Sequence, residues 1–84
     1  MAANKPLVRW RKKAGISQAT AAERVFVTQP TWAGYEAGRY RPEFEIAARI
    51  ELLSEGAVRV EAFGYDATQA FAVARAPWRA GSAA

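Results

Sequence analysis

GISQATAAERVFVTQPTWAGYEAGRYRP, residues 15–42, packs two helix-sized segments into 28 positions, and each segment is opened by a hydroxyl residue followed by glutamine. Ser17 and Thr28 have the side chains that accept orphan backbone N–H groups at a helix start, and Gln18 and Gln29 then fall at the first helical positions. The spacing predicts one helix over about Gln18–Val25, burying Ala21, Ala22 and Val25, a turn at Phe26 and Val27, and a second helix that begins after Thr28. Pro30 is tolerated because it lies in the first helical turn. Trp32 and Tyr35 face inward three residues apart, and Gly38 stops the helix. Gly34 costs up to about 1 kcal/mol relative to alanine inside a helix, so it is expected to mark a close approach, either of another helix or of a sugar-phosphate edge.

Upstream, residues 1–4 read as loose and Pro6 suits the first turn of a helix that ends at Gly15, with Leu7, Trp10 and Ala14 as its apolar stripe. Downstream, Pro42 opens a further helix with Glu43 and Glu45 in its first turn and Phe44, Ala47, Ile50 and Leu53 on its buried face. AVRVEAF then alternates strictly, with Val58, Val60 and Ala62 on one side and Arg59, Glu61 and Phe63 on the other, which predicts a strand over about 57–63. A lone strand has an unpaired edge, so either it pairs with the same strand of a second copy or the segment is an irregular arm across the domain's own core. Asp66-Ala67-Thr68-Gln69 reads as another helix start, with Phe71 and Ala74 on one side of two apolar turns that Pro77 stops. APWRAGSAA has the composition of a frayed tail whose Trp78 tucks onto the core or touches a partner. The chain divides into residues 1–56, a 57–65 dimerisation strand and a 66–84 tail.

The chain has 84 residues, 51% of them hydrophobic, enough for one small core and too few for a core plus an enclosed active-site cavity. It contains no cysteine and no histidine, which excludes disulfides and thiolate metal sites and removes the commonest catalytic base. No enzyme activity, metal, cofactor or small-molecule ligand is expected, nor a membrane span, and the location expected is cytoplasmic. Net charge is +4, but eight bases stand against two acids up to residue 41, and four against six after it. The basic half carries the helix pair, and a polyanion is its natural partner.

The pattern of an arginine four residues before Gly15, then Gly15-x-Ser17-Gln18, an alanine-containing helix, Thr28-Gln29, Tyr35-Glu36-x-Gly38 and Arg39-x-x-Pro42 resembles the Cro and C1 repressor family of helix-turn-helix regulators, also called XRE-type. The resemblance covers residues 7 to about 54, and a weaker likeness links SEGAVRVEAFGYD to the C-terminal strand of short Cro-like phage regulators. It implies a mainly α, four- to five-helix lambda-repressor-like domain, with the C-terminal strand pairing across a dimer through Val58, Arg59, Val60, Glu61, Ala62 and Phe63. By the same resemblance Gln18 starts the positioning helix, touching phosphate and a base. Gln29, Thr31, Ala33 and Gly34 fall where relatives read base edges. A glutamine at position 29 matches adenine N6 and N7 together, a bidentate contact of about 1–3 kcal/mol, and Thr31 meets a thymine methyl or a phosphate. Arg11 and Glu36 match an internal ion pair between the first and third helices. Arg9, Lys12, Lys13, Arg39, Tyr40 and Arg41 are the expected phosphate contacts.

Three residues depart from the family pattern. Phe26 replaces the turn glycine, Ala21 replaces a leucine whose volume Phe26 or Trp32 would have to fill, and Pro30 with Gly34 leaves few direct readers on the recognition helix. The function implied is a dimeric repressor on an inverted-repeat operator in double-stranded DNA. The rival is a helix-turn-helix protein-interaction module of antitoxin type, holding its partner through Phe63, Tyr65, Phe71 and Trp78.

Overall fold

A computed structural model describes residues 3–66 and 77–82. Five α-helices form there, α1 (Lys5–Ala14), α2 (Gln18–Arg24), α3 (Gln29–Ala37), α4 (Phe44–Leu53) and α5 (Pro77–Ser82), with a single 3-10 turn at Val60–Phe63. Each of the first three starts on a side-chain cap: Asn4 accepts from the Leu7 N–H, Ser17 from Thr20 and Thr28 from Thr31. α1 and α3 both end in left-handed residues, Gly15 and Gly38.

One core joins all of this. Leu7, Ala21, Ala22, Val25, Trp32 and Tyr35 contribute from the first three helices, and Ala47, Ile50, Val58, Val60, Phe63 and Tyr65 from the rest. Trp32 is fully buried, as is Ala21, and sits between Trp10 and Tyr35 at ring-centroid distances of 6.5 and 6.4 Å. Ala14, expected on the buried stripe of α1, is exposed.

Phe26 contributes nothing to that core, being 79% exposed. It occupies the turn between α2 and α3 with φ 64°, the left-handed region that disfavours a bulky side chain. The Arg49 guanidinium lies over its ring, 5.2 Å from the ring centre. A glycine meets the same turn without the Cβ conflict. Phe26→Gly is therefore expected to stabilise the domain by about 1 kcal/mol, raising the melting temperature by roughly 4–8 °C in a thermal scan. An unchanged or lower melting temperature refutes the strain.

The strand expected over 57–63 does not form, and no strand occurs among the described residues. The segment turns as a 3-10 helix because α4 and its C-cap residue Ser54 supply side-chain partners for its backbone. The Ser54 hydroxyl accepts from the Val58 N–H at 3.0 Å, and a Glu51 carboxylate oxygen accepts from the Val60 N–H at 3.0 Å. Backbone groups satisfied in this way need no neighbouring strand. Val58, Val60 and Phe63, assigned above to a dimer face, are buried in the domain's own core, while Glu61 and Ala62 point outward and Arg59 donates to the Trp78 carbonyl at 3.2 Å.

Pro77 opens α5, where a helix stop was expected. Trp78 is packed against Gly56, where a Cβ would lie 2.4 Å from the indole Cγ, so the tail expected to fray is docked at this point. The helix expected to follow Asp66, with Phe71 and Ala74, lies outside the described residues.

Candidate nucleic-acid interface

α3 turns Trp32, Tyr35 and Glu36 inward and leaves Gln29, Pro30 and Ala37 exposed, with Ala33 half-buried between them. Thr31 stands off this face. Two residues of helix rotate it by about 200° from Gln29, and its hydroxyl is engaged 2.8 Å from that of Thr28. The outward face of α3 thus has one long polar side chain, Gln29, at its N-terminal end.

Gln29 is not free to rotate. Its amide nitrogen donates to Gln18 Oε1 at 2.7 Å, and Gln18 Nε2 donates in turn to Glu36 Oε1 at 3.0 Å. Because a carboxylate only accepts, Glu36 fixes which end of the Gln18 amide faces it, and Gln18 then fixes Gln29. Among the described residues the carbonyl oxygen of Gln29 and its remaining N–H have no partner. Gln18, half-buried at the start of α2, is a positioning group on this geometry.

Glu36 anchors the whole arrangement. Arg11 approaches it in a fork, Nε to Oε2 at 2.5 Å and the second guanidinium nitrogen to Oε1 at 3.2 Å, and Trp32 Nε1 donates to Oε2 at 2.6 Å. Burial alone would push this carboxyl up, but the hydrogen bonds from Arg11, Gln18 and Trp32 together hold it below the usual carboxylate range. Arg11 also donates to the Ile16 carbonyl at 3.0 Å, so α1, α3 and the loop before α2 share one guanidinium.

Gly34 is covered, not open to a ligand. A Cβ at this position would fall 2.1 Å from Tyr40 Cδ2 and 2.3 Å from Cε2, so the tyrosine ring occupies the space a side chain would need. The Arg39 and Tyr40 N–H groups both donate to the Gly34 carbonyl, at 2.9 and 3.3 Å, which folds the loop after α3 back onto the helix. Tyr40 itself is 56% exposed.

The basic residues separate into two places. Arg39 and Arg41 flank Tyr40 in the exposed loop at the end of α3; Arg41 lies 4.5 Å over the Tyr65 ring, whose hydroxyl donates to the Pro42 carbonyl at 2.8 Å. Arg9 and Lys13, by contrast, line a groove with Pro6, Trp10 and Ala57, on the side of α1 that faces the end of α4. Lys12 is exposed, as is Arg24, which closes α2 and was not singled out in the sequence.

Glu51 is the main residue that sequence reasoning missed. It is fully buried and accepts from Val60 N–H at 3.0 Å, Trp78 Nε1 at 2.7 Å and Arg79 Nε at 2.6 Å, with a second Arg79 nitrogen on its other oxygen. The available signal was its place four residues after Ala47, on the apolar stripe of α4. No three residues among those described are placed to hold a metal ion, and no described helix is long and apolar enough to cross a membrane.

The geometry presents the exposed N-terminal end of α3 with its amide held by Gln18 and, past the C-terminal end of the same helix, a loop of two arginines and a tyrosine folded back onto Gly34, while the buried Glu36 ties α3 to Arg11 and Gln18. A family model described as a helix-turn-helix domain matches residues 7–70. No curated protein and no solved structure matches the chain.

Proposed function

The chain belongs to the helix-turn-helix domain family, in its Cro-like (XRE) form, and on that premise we propose that it is a sequence-specific double-stranded DNA-binding transcriptional repressor. α3 lies in the major groove with its N-terminal residues at the base edges, Gln29 reads an adenine through its free carbonyl and N–H, and Arg39 and Arg41 grip the flanking phosphates. The observation that carries this reading is the Gln29–Gln18–Glu36 chain of hydrogen bonds, which holds the one long side chain of the outward face in a fixed orientation. A reading group held in this way loses less freedom on binding than a mobile one.

One copy of α3 reaches only a few base pairs, so specificity requires two copies on an inverted repeat, with half-site centres roughly 10 bp apart or a multiple of it. The surface that joins the copies is not the edge of a 57–63 strand. Repression follows from occupying the promoter.

A gel-shift titration tests the proposal. Affinity is expected to fall steeply as salt rises and to favour a selected palindrome over random duplex. Gln29→Ala is expected to weaken palindrome binding by about 1–3 kcal/mol while leaving random-duplex binding unchanged. Salt-independent affinity, or equal affinity for both duplexes, sinks the reading.

The antitoxin-like alternative needs an exposed aromatic tail. Phe63 and Tyr65 are buried, Trp78 is docked on Gly56, and Phe71 lies outside the described residues. The described aromatics give it no support.

A further inference from the structure

We infer that Tyr40, although it lies beyond the recognition helix in sequence, is a second base-reading residue, and that Gly34 is kept in order to seat it there. The inference rests on the DNA-binding reading above and names a contact of that same surface.

The outward face of α3 is nearly bare after Gln29, with Pro30, Ala33 and Ala37 offering no polar group to a base. The next position toward the groove is 34, and it has no side chain of its own. Gly34 has an ordinary helical backbone, so no left-handed turn calls for glycine there; what excludes a larger residue is the Tyr40 ring, lying where a Cβ would be. Two backbone hydrogen bonds to the Gly34 carbonyl hold residues 39 and 40 against the helix. Tyr40 thereby takes the place that the side chain of residue 34 would fill.

A ring packed this way has little freedom left, while more than half of the residue stays exposed at 56%. Among the described residues its hydroxyl has no hydrogen-bond partner, whereas the hydroxyl of Tyr65 is taken by Pro42. Were Tyr40 a core residue, it would be buried; were it a loose loop residue, glycine would gain nothing at position 34 and alanine would favour the helix. A preorganised aromatic edge with a free donor and acceptor is suited to a base pair, its ring against a thymine methyl and its hydroxyl on a purine N7 or thymine O4. Five residues of helix rise separate Gly34 from Gln29, about 7–8 Å, which places the two contacts roughly two or three base-pair steps apart.

The test is a selection from a random duplex pool with the wild-type chain, Tyr40→Phe and Gly34→Ala, followed by affinity measurements on the selected duplexes. Tyr40→Phe keeps the packing and loses the hydroxyl. It is expected to flatten base preference at one position per half-site, two or three base pairs from the Gln29-dependent one, with about a three- to tenfold loss on the wild-type duplex. Gly34→Ala, which displaces the ring, is expected to flatten the same position. A uniformly weaker binder with unchanged preference makes Tyr40 a phosphate contact and overturns the inference, as does a Tyr40→Phe variant identical to wild type. If the wild-type chain selects no motif at all, it is the DNA-reading proposal that fails. Retention of the Gln29-dependent position in both variants shows that they are folded.

Discussion

Glu51→Ala is expected to lower the unfolding free energy by about 3–5 kcal/mol, a large part of the roughly 5–15 kcal/mol available to a domain of this kind. The carboxylate is fully buried and serves four donors, one each from Val60 and Trp78 and two nitrogens of the Arg79 guanidinium. Burial would push its protonation upward, yet the Arg79, Trp78 and Val60 hydrogen bonds hold it below the usual carboxylate range. Removing it takes the inner carboxylate from an arginine whose side chain is 11% exposed and leaves the Val60 N–H and the Trp78 indole N–H without this acceptor. Arg79 retains Glu61 on its outer side at 2.9 Å, which limits the loss. Most buried ion pairs can be replaced by apolar residues at little cost because both charges leave together. Here that substitution fails, since an Arg79→Met, Glu51→Met pair still leaves the Val60 and Trp78 donors without acceptors. Urea titration of the single and paired variants decides the matter: a paired variant as stable as wild type refutes the four-donor account, and a Glu51→Ala loss below about 1 kcal/mol refutes it outright.

The elements legible in the sequence were those set by local chemistry. Gly15 closes α1, Ser17 opens α2, and Thr28 and Gly38 bound α3, through caps that act over three or four residues, so the helix pair could be placed to within a residue. The 57–63 segment was misread because period-two alternation is shared by a half-buried strand and by an irregular segment whose alternate side chains reach one core. What separates the two is the source of hydrogen-bond partners, here Ser54 and Glu51. Long-range facts were hidden for the same reason. Nothing local says that Trp78 will cover Gly56 or that Tyr40 will fill the space above Gly34. Glu51 reads as one more surface charge until the stripe of α4 is drawn through it. At the site, Gln29 was legible as the residue that opens α3, whereas its hydrogen bond to Gln18 required the fold to bring residues 11 positions apart into contact.

Acid is expected to unfold the domain through its two buried glutamates, and under the proposed function Glu36 is expected to couple that transition to DNA reading. Glu36 and Glu51 both have native pKa values below the usual one, so the unfolded chain binds protons more readily than the folded chain. Their stabilisation is complete above the ordinary glutamate value of about 4.3 and is lost as pH falls through that value toward the lower native ones. With no histidine and no cysteine in the chain, no side chain has its ordinary pKa between about 5 and 8. Stability measured by urea titration is therefore expected to be flat from pH 5.5 to 8 and to drop below about pH 4. The Glu36→Gln, Glu51→Gln double variant should show a shallower acid limb, the remainder coming from Glu61, which Arg79 also holds below its usual range. An acid limb as steep as that of wild type removes both carboxylates from the account.

At neutral pH, Glu36→Gln alone should cost about 2–4 kcal/mol of stability, because the new amide must turn a donor toward Arg11, Trp32 or Gln18. It should also weaken binding to the selected palindrome more than to random duplex, since the loss releases Gln18 and, through it, Gln29. Combining Glu36→Gln with Gln29→Ala measures that link: in a double-mutant cycle on palindrome affinity, a coupling of at least about 0.5 kcal/mol is expected. Additive losses would mean that Gln29 reads DNA without help from the buried carboxylate, leaving Glu36 only its role in stability.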